Sequence, residues 1–344
     1  MAFRGSYLKK EYGLLKIPQW AIQLSRLWDT PPWRKDPPQT KHVPTQSIPQ
    51  IRFTQIQKLL HGSETSLVTK GLSIEEAFAK NFDADYFLQK IRGHQQRWKA
   101  FYQGHSGVRH GEKVKSIEAH FPRDYWRESK SLGKLSRNDI NLLYQLSLIS
   151  QFLWKQEGIQ YQSGAKLAQV FSNSSSQRFG DCNDFTTLAS DLARRIGIDH
   201  QLRVQFMPGH VTLLVKLDND QELYFDYANK FLPVDFYRSR IDQEPPQALE
   251  KVLATFWSNA GSNFLIQAAQ SNDSSLFNRA IFYLDRSSDL IPGQSMLYYN
   301  LAAFFLVRRE PQKAKRALKK SLALNNKYRP AAKLLAQGNF TAQN

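Results

Sequence analysis

A single cysteine, Cys182, occurs in 344 residues. No intrachain disulfide can staple the chain, and structural zinc sites usually draw on several cysteines. Packed apolar cores must therefore hold the fold, and 41% hydrophobic with 12% aromatic residues supplies the material. A thiol-poor chain fits a reducing compartment. Met1-Ala2-Phe3-Arg4-Gly5-Ser6 is not followed by a continuous apolar run of the signal-peptide kind. The longest apolar stretch, Leu301 to Val307, is far too short for a membrane span. A soluble, cytoplasmic protein with no cofactor and no bound metal is the expectation.

Three regions are expected: 1–135, 136–243 and 244–344. Within the first, residues 1–60 are basic and carry Pro31, Pro32, Pro37, Pro38, Pro44 and Pro49, which suit an extended arm rather than ladders or helix interiors. Residues 73–103 read as helical. Ser73 with Glu76 is a candidate capping box, Asp83 a second helix start, and Gly93 a break.

The second region opens on a helix from Ser136 to about Glu157, stopped by Gly158. Its apolar residues are too many for a surface helix, so it should be deeply packed. A short helix over 166–171 and a polar loop over 172–177 lead to Gly180-Asp181-Cys182-Asn183-Asp184. From Cys182 to Ile196, Phe185, Leu188, Ala189, Leu192 and Ile196 share one helical face, and Gly197 is placed to end it. Strands are expected over 201–206, 210–217 and 222–227, with Asp218-Asn219-Asp220 as a turn.

The third region is wholly helical and repeats at a period of 34. Phe264, Ala268, Ala280, Leu284 and Ser287 recur as Tyr298, Ala302, Ala314, Leu318 and Ser321. Pro292 closes the first unit, Asn326 holds its place in the second, and 329–337 would form a cap. That period and the small residues resemble the tetratricopeptide repeat.

The chemistry lies in the second region. The first turn of a helix exposes unpaired N–H groups and the positive end of the helix dipole, and both favour an anion such as a thiolate at Cys182. The Cys182 N–H is itself available to an oxyanion. If the turn is the three residues 218–220, Thr212 opposes Asp226. His210 then lies diagonal to Asp226 on one face, about 7–8 Å away at the backbone and within side-chain reach. A slip of one residue would separate them. A carboxylate there can hold the imidazole tautomer and stabilise the imidazolium. Gln177 and Tyr161 are oxyanion-donor candidates by position. Asp181 is placed to cap the helix, and Asp184 to brace the loop or bind a substrate amine.

Gly180-Asp181-Cys182-Asn183-Asp184-Phe185 and the helix ending Ala193-Arg194-Arg195-Ile196-Gly197-Ile198 resemble the cysteine segment of the transglutaminase-like superfamily. Gly209-His210-Val211 and Tyr224-Phe225-Asp226 resemble its histidine and aspartate strands. The resemblance covers about residues 136–235. It implies an α+β fold with a papain-like core, in which Cys182 is nucleophile, His210 general base and acid, and Asp226 the orienting group. Met207-Pro208-Gly209-His210 and the trailing repeats are closer to bacterial transglutaminase-like proteins with C-terminal tetratricopeptide repeats.

Three functions are open at this point. The first is a cysteine-nucleophile hydrolase of peptide or isopeptide bonds, with acyl transfer to an amine as its variant. The second is a non-catalytic adaptor that binds a protein partner through the core and the repeats. The third is single-strand binding through Arg92, Arg97, Trp98, Lys99, Phe101 and Tyr102, where charge and rings interleave. A formal net charge of +17 suits a polyanion partner or simply a solvated basic surface.

Overall fold

The computed structural model describes residues 66–76, 82–120, 135–162, 165–172, 177–207, 210–218, 220, 222–226, 246–271, 274–291, 295–307, 310–326 and 328–338. The expected Pro-rich arm, Pro208, Gly209 and Pro292 lie outside them. The chain divides into two units at the boundary between Leu253 and Ala254. The described residues are a mixed α+β, mostly helical structure.

The first unit opens with α1 (Leu67–Glu75), which starts earlier than the expected Ser73. Ser66 has extended backbone and its hydroxyl accepts the Thr69 N–H at 3.1 Å, so Ser66 is the cap. Ser73 lies inside the helix, where its hydroxyl donates back to the Lys70 carbonyl. Asp83 does cap α2 (Ala84–His105), accepting the Tyr86 N–H at 3.1 Å. This helix runs through Gly93 unbroken, correcting the expected break. A helix-interior glycine costs about 1 kcal/mol. Burial of Leu88, Ile91, His94 and Trp98 along one face outweighs that. Next comes α3 (His110–His120).

The deeply packed helix is α4 (Arg137–Gln151), extended by a π-helical turn over Phe152–Gln156. Ser136 and Asp139 form a reciprocal capping box at its start. Gly158, at φ +64°, ends the run. β1 (Ile159–Tyr161) then pairs in parallel with β2 (Arg178–Gly180), and α5 (Leu167–Phe171) lies between them in sequence.

Helix α6 (Cys182–Arg195) is the centre of this unit: every residue from Cys182 to Ala193 is buried. It packs on β4 of an antiparallel meander, β3 (Leu202–Met207), β4 (His210–Lys216) and β5 (Glu222–Phe225). The Thr186 hydroxyl donates to the Val211 carbonyl at 3.3 Å. The Leu67 N–H donates to Asp191 Oδ1 at 3.1 Å, tying α1 to the same helix. The β4–β5 ladder runs from Leu213 opposite Phe225 to Lys216 opposite Glu222. One further step sets Thr212 opposite Asp226, the register expected from the turn.

In the second unit, α7 (Leu253–Ser271) with α8 (Ser274–Leu290), and α9 (Ser295–Val307) with α10 (Pro311–Leu324), carry the 34-residue period. Helix α11 (Arg329–Gln337) follows as the expected cap. The recurring small residues Ala268, Ala280, Ala302 and Ala314 are all fully buried. The recurring serines have one job in both pairs. Ser287 donates to the Ala254 carbonyl at 2.6 Å, and Ser321 to the Ser295 carbonyl at 2.7 Å. Each hydroxyl thus satisfies a carbonyl at the start of the preceding helix.

A Cβ on Gly261 of α7 would lie 2.9 Å from Leu284 Cγ and 3.1 Å from the Ala280 carbonyl oxygen. Gly261→Ala should therefore lose about 1–3 kcal/mol by overpacking. Gly104 in α2 has nothing within 4 Å of its built Cβ. Gly104→Ala should gain about 0.5–1 kcal/mol from helix propensity. Urea unfolding of the two variants tests both, and equal shifts would contradict the packing described.

Candidate active site

The site is built on the first turn of α6. Asp181 is the N-cap. Its Oδ1 accepts the N–H groups of Asn183 at 2.8 Å and Asp184 at 3.2 Å. Asp184 reaches back, its Oδ2 accepting the Asp181 N–H at 2.8 Å. Capping by Asp181 and bracing by Asp184 are thus both observed. Asp184 is fully buried, so it is closed to a substrate amine in this structure.

Cys182 is the first residue of this helix and only 1% exposed. Its Sγ lies 4.0 Å from Asn183 Oδ1. His210 begins β4 and Asp226 follows β5, and the meander brings them together: His210 Nε2 lies 2.7 Å from Asp226 Oδ2. Their side chains are 9% and 2% exposed, so water screens this pair little. Burial works against the imidazolium. Hydrogen bonds to Asp226 and Cys182, with the negative charges of both, outweigh it and push His210 up to about 10. The sulfur, the ring and the carboxylate thus interact in series. Because Nε2 is engaged by Asp226, Nδ1 is the ring nitrogen left for the thiol.

A group not expected from sequence joins the site from α1. Glu75 Oε2 accepts the Leu167 N–H at 2.8 Å. Burial of the carboxyl and the negative charge of Asp181 push Glu75 up to about 8. Burial, then the charges of Asp181 and Glu75, push the Asp184 carboxyl well above the usual range. Asp184 Oδ1 is buried without a hydrogen-bond partner. Three acids, Glu75, Asp181 and Asp184, thus interact at the start of α6. Among the described residues, no three His, Cys, Asp or Glu groups converge to hold a metal ion.

A second hub positions the approach to the cysteine. Glu157, 2% exposed, accepts Arg97 Nε at 2.6 Å, Arg178 Nη1 at 2.5 Å and His94 Nδ1 at 3.1 Å. Burial alone would raise its pKa. The hydrogen bonds from Arg97 and His94 reverse that and hold it well below the usual carboxylate range. Arg178 opens β2, which ends two residues before Cys182, so the hub fixes the strand that leads to the cysteine. The sequence holds no local sign of this hub, because its members are separated by up to 84 positions.

The oxyanion-donor candidates fare differently. Gln177 is exposed and lies just before β2. Tyr161 is 38% exposed, but its backbone pairs with Gly180, which places it beside the cysteine loop. Compared with models of known protein families, with curated proteins and with solved structures, the chain matches none.

Folding raises the Glu75 pKa. Its protonated carboxyl therefore stabilises the fold fully below about 4.5, and that contribution is lost as pH climbs through about 8. Glu75→Gln keeps an acceptor for Leu167 and removes the titration. The variant should flatten the decline in Tm between about pH 5 and pH 8.5. A slope equal to that of the parent protein would remove Glu75 from the buried cluster.

Proposed function

We propose that the chain is a cysteine hydrolase of amide bonds, peptide or isopeptide, working through a thioester. The observation that carries the reading is the 2.7 Å pair between His210 and Asp226, with Cys182 acting on the same imidazole from a helix start. A papain-like, transglutaminase-like core is part of this proposal. It is supported by a helix led by the nucleophile and packed on an antiparallel meander.

Each residue then has a definite task. The Cys182 thiolate attacks the carbonyl carbon, and a C–S bond forms. The oxyanion takes the Cys182 N–H as one donor, with a second from a side chain such as Tyr161 or Gln177. The His210 imidazolium gives its proton to the leaving nitrogen as the C–N bond breaks. Neutral imidazole then removes a proton from water, which attacks the thioester, and the thiol leaves. Asp226 holds the ring throughout and stabilises its protonated form. Hydrolysis is favoured over acyl transfer because, among the described residues, no feature of the site selects an amine over water.

The burial of Cys182 favours a second reading, a non-catalytic adaptor whose core is a scaffold. The two differ in thiol chemistry. A nucleophilic Cys182 should be alkylated rapidly near pH ~6, where an ordinary thiol is protonated. An electrophilic amide-mimicking probe should add at Cys182, located by mass spectrometry, and the adduct should vanish in His210→Ala. Asp226→Asn should slow labelling by at least about tenfold and lower the pH at which His210 loses its proton, followed by NMR. In a peptide-cleavage assay Cys182→Ala should abolish turnover with little change in Tm. Sluggish labelling, indifferent to His210, would sink the hydrolase and leave the adaptor.

A further inference from the structure

Apolar packing fixes how closely α6 sits on the meander, but it is non-directional and does not set where one slides along the other. Hydrogen bonds do, because they weaken steeply out of line. Two threonine hydroxyls make such bonds beside the site. Thr186 follows Cys182 by one turn on the same face of α6, about 6 Å along the axis. Its hydroxyl donates to the Val211 carbonyl at 3.3 Å, and Val211 directly follows His210 in β4. Thr212 comes next in β4 and shares a face with His210. Its hydroxyl donates to the Phe225 carbonyl at 2.5 Å, and Phe225 directly precedes Asp226. The β4–β5 ladder ends at the Leu213–Phe225 pair, so Asp226 stands one step beyond it. Both threonines are buried, and water does not compete for either bond. A buried hydroxyl is costly unless it is bonded, so each of these is used where it stands.

We propose that Thr186 and Thr212 are the positioning residues of the Cys182, His210 and Asp226 site. Thr186 keeps the start of α6 in line with His210, and Thr212 keeps Asp226 against the same ring. The inference rests on the reading of this site as a nucleophilic one. Each hydroxyl donates to a carbonyl one residue from the group it places. One peptide links the two bonds: the Val211 carbonyl accepts from α6, and the next side chain donates to β5. Helix, central strand and outer strand are thus registered through the strand that His210 begins. Each bond governs a different distance. Loss of the Thr186 hydroxyl lets the sulfur move relative to the ring and leaves the His210–Asp226 pair in place. Loss of the Thr212 hydroxyl loosens that pair. A misplacement of about 1 Å can cost about a hundredfold in rate.

The test uses the full-length protein and two readouts. One is the rate of Cys182 alkylation near pH ~6. The other is the low-field proton NMR signal of the His210 Nε2–H, identified by its loss in His210→Ala. Thr186→Val should slow alkylation at least about tenfold and keep the signal. Thr212→Val should slow alkylation as much and also lose or shift the signal. Thr186→Ser and Thr212→Ser keep the hydroxyl donor and should stay within about threefold of the parent protein. Thr187→Val is the control: Thr187 is buried on the same helix, and its hydroxyl has no hydrogen-bond partner among the described residues. It should alter alkylation by less than about twofold. Equal slowing in Thr187→Val, or serine variants as slow as the valine ones, would reduce the effect to packing and overturn the assignment. So would parental alkylation in Thr186→Val, or an unmoved signal in Thr212→Val. A parent thiol that labels sluggishly and ignores His210 sinks the hydrolase, and the two ties are then judged from His210 alone. Cys182→Ala should move the His210 ring signals in the parent protein and move them less once Thr186→Val is added, while Thr212→Val should still disturb the Nε2–H signal. Shifts indifferent to both threonines would overturn the ties as well.

Discussion

A helix start cannot be buried without partners for its free N–H groups, and the start of α6 is buried completely. That requirement organises the first unit. Asp181 supplies acceptors for two of the orphan donors, and Asp184 closes the box from the other side. Carboxylates so close together cannot all be ionised in a dry interior, so the neighbours adjust. Burial and neighbouring negative charge push the Glu75 and Asp184 carboxyls above the usual carboxylate range. Cys182 sits between the positive end of this helix and the His210 ring. The hydrogen bonds around the cysteine thus follow from the cost of burying the turn on which it sits.

The meander answers the same need from the other side. His210 and Asp226 meet only in one register, and a slip of one residue would send them to opposite faces. The hairpin turn is also pinned from outside the sheet. The Asp218 N–H donates to Asp139 Oδ1 at 2.9 Å, and the Ser136 hydroxyl donates to Asp218 Oδ2 at 2.6 Å. The residues that cap α4 therefore also hold the β4–β5 turn. Asp220, at φ +63°, takes the left-handed position that a tight turn of this length requires. Helix capping and strand register are coupled by two side chains.

Much of this was legible in the chain. The β4–β5 register followed from the Asp218-Asn219-Asp220 turn, because turn length and a period of two leave one solution. The cap at Asp181 followed from local side-chain chemistry, and the helical repeat from its period. Misreadings arose where tertiary packing overrides local propensity. Gly93 continues a helix because its neighbours are buried on one face. Ser73 looked like a cap, yet Ser66 holds the extended backbone that a cap needs. Glu75 and the Glu157 hub were invisible because their partners come from distant segments. Charge pairing across a core leaves no periodic trace.

The basic composition reads differently once the pairs are placed. A net charge of +17 invites the picture of one cationic face. Several arginines are instead paired with acids: Arg97 and Arg178 with Glu157, Arg194 with Glu250, and Arg195 with Asp191. The interleaved rings of α2, which made single-strand binding conceivable, pack on Phe152 and on one another. Along its outer side α2 carries Arg92, Gln95, Gln96, Lys99 and Gln103, beside the half-buried Tyr102. Net charge alone therefore says little about how the cations of this chain are used.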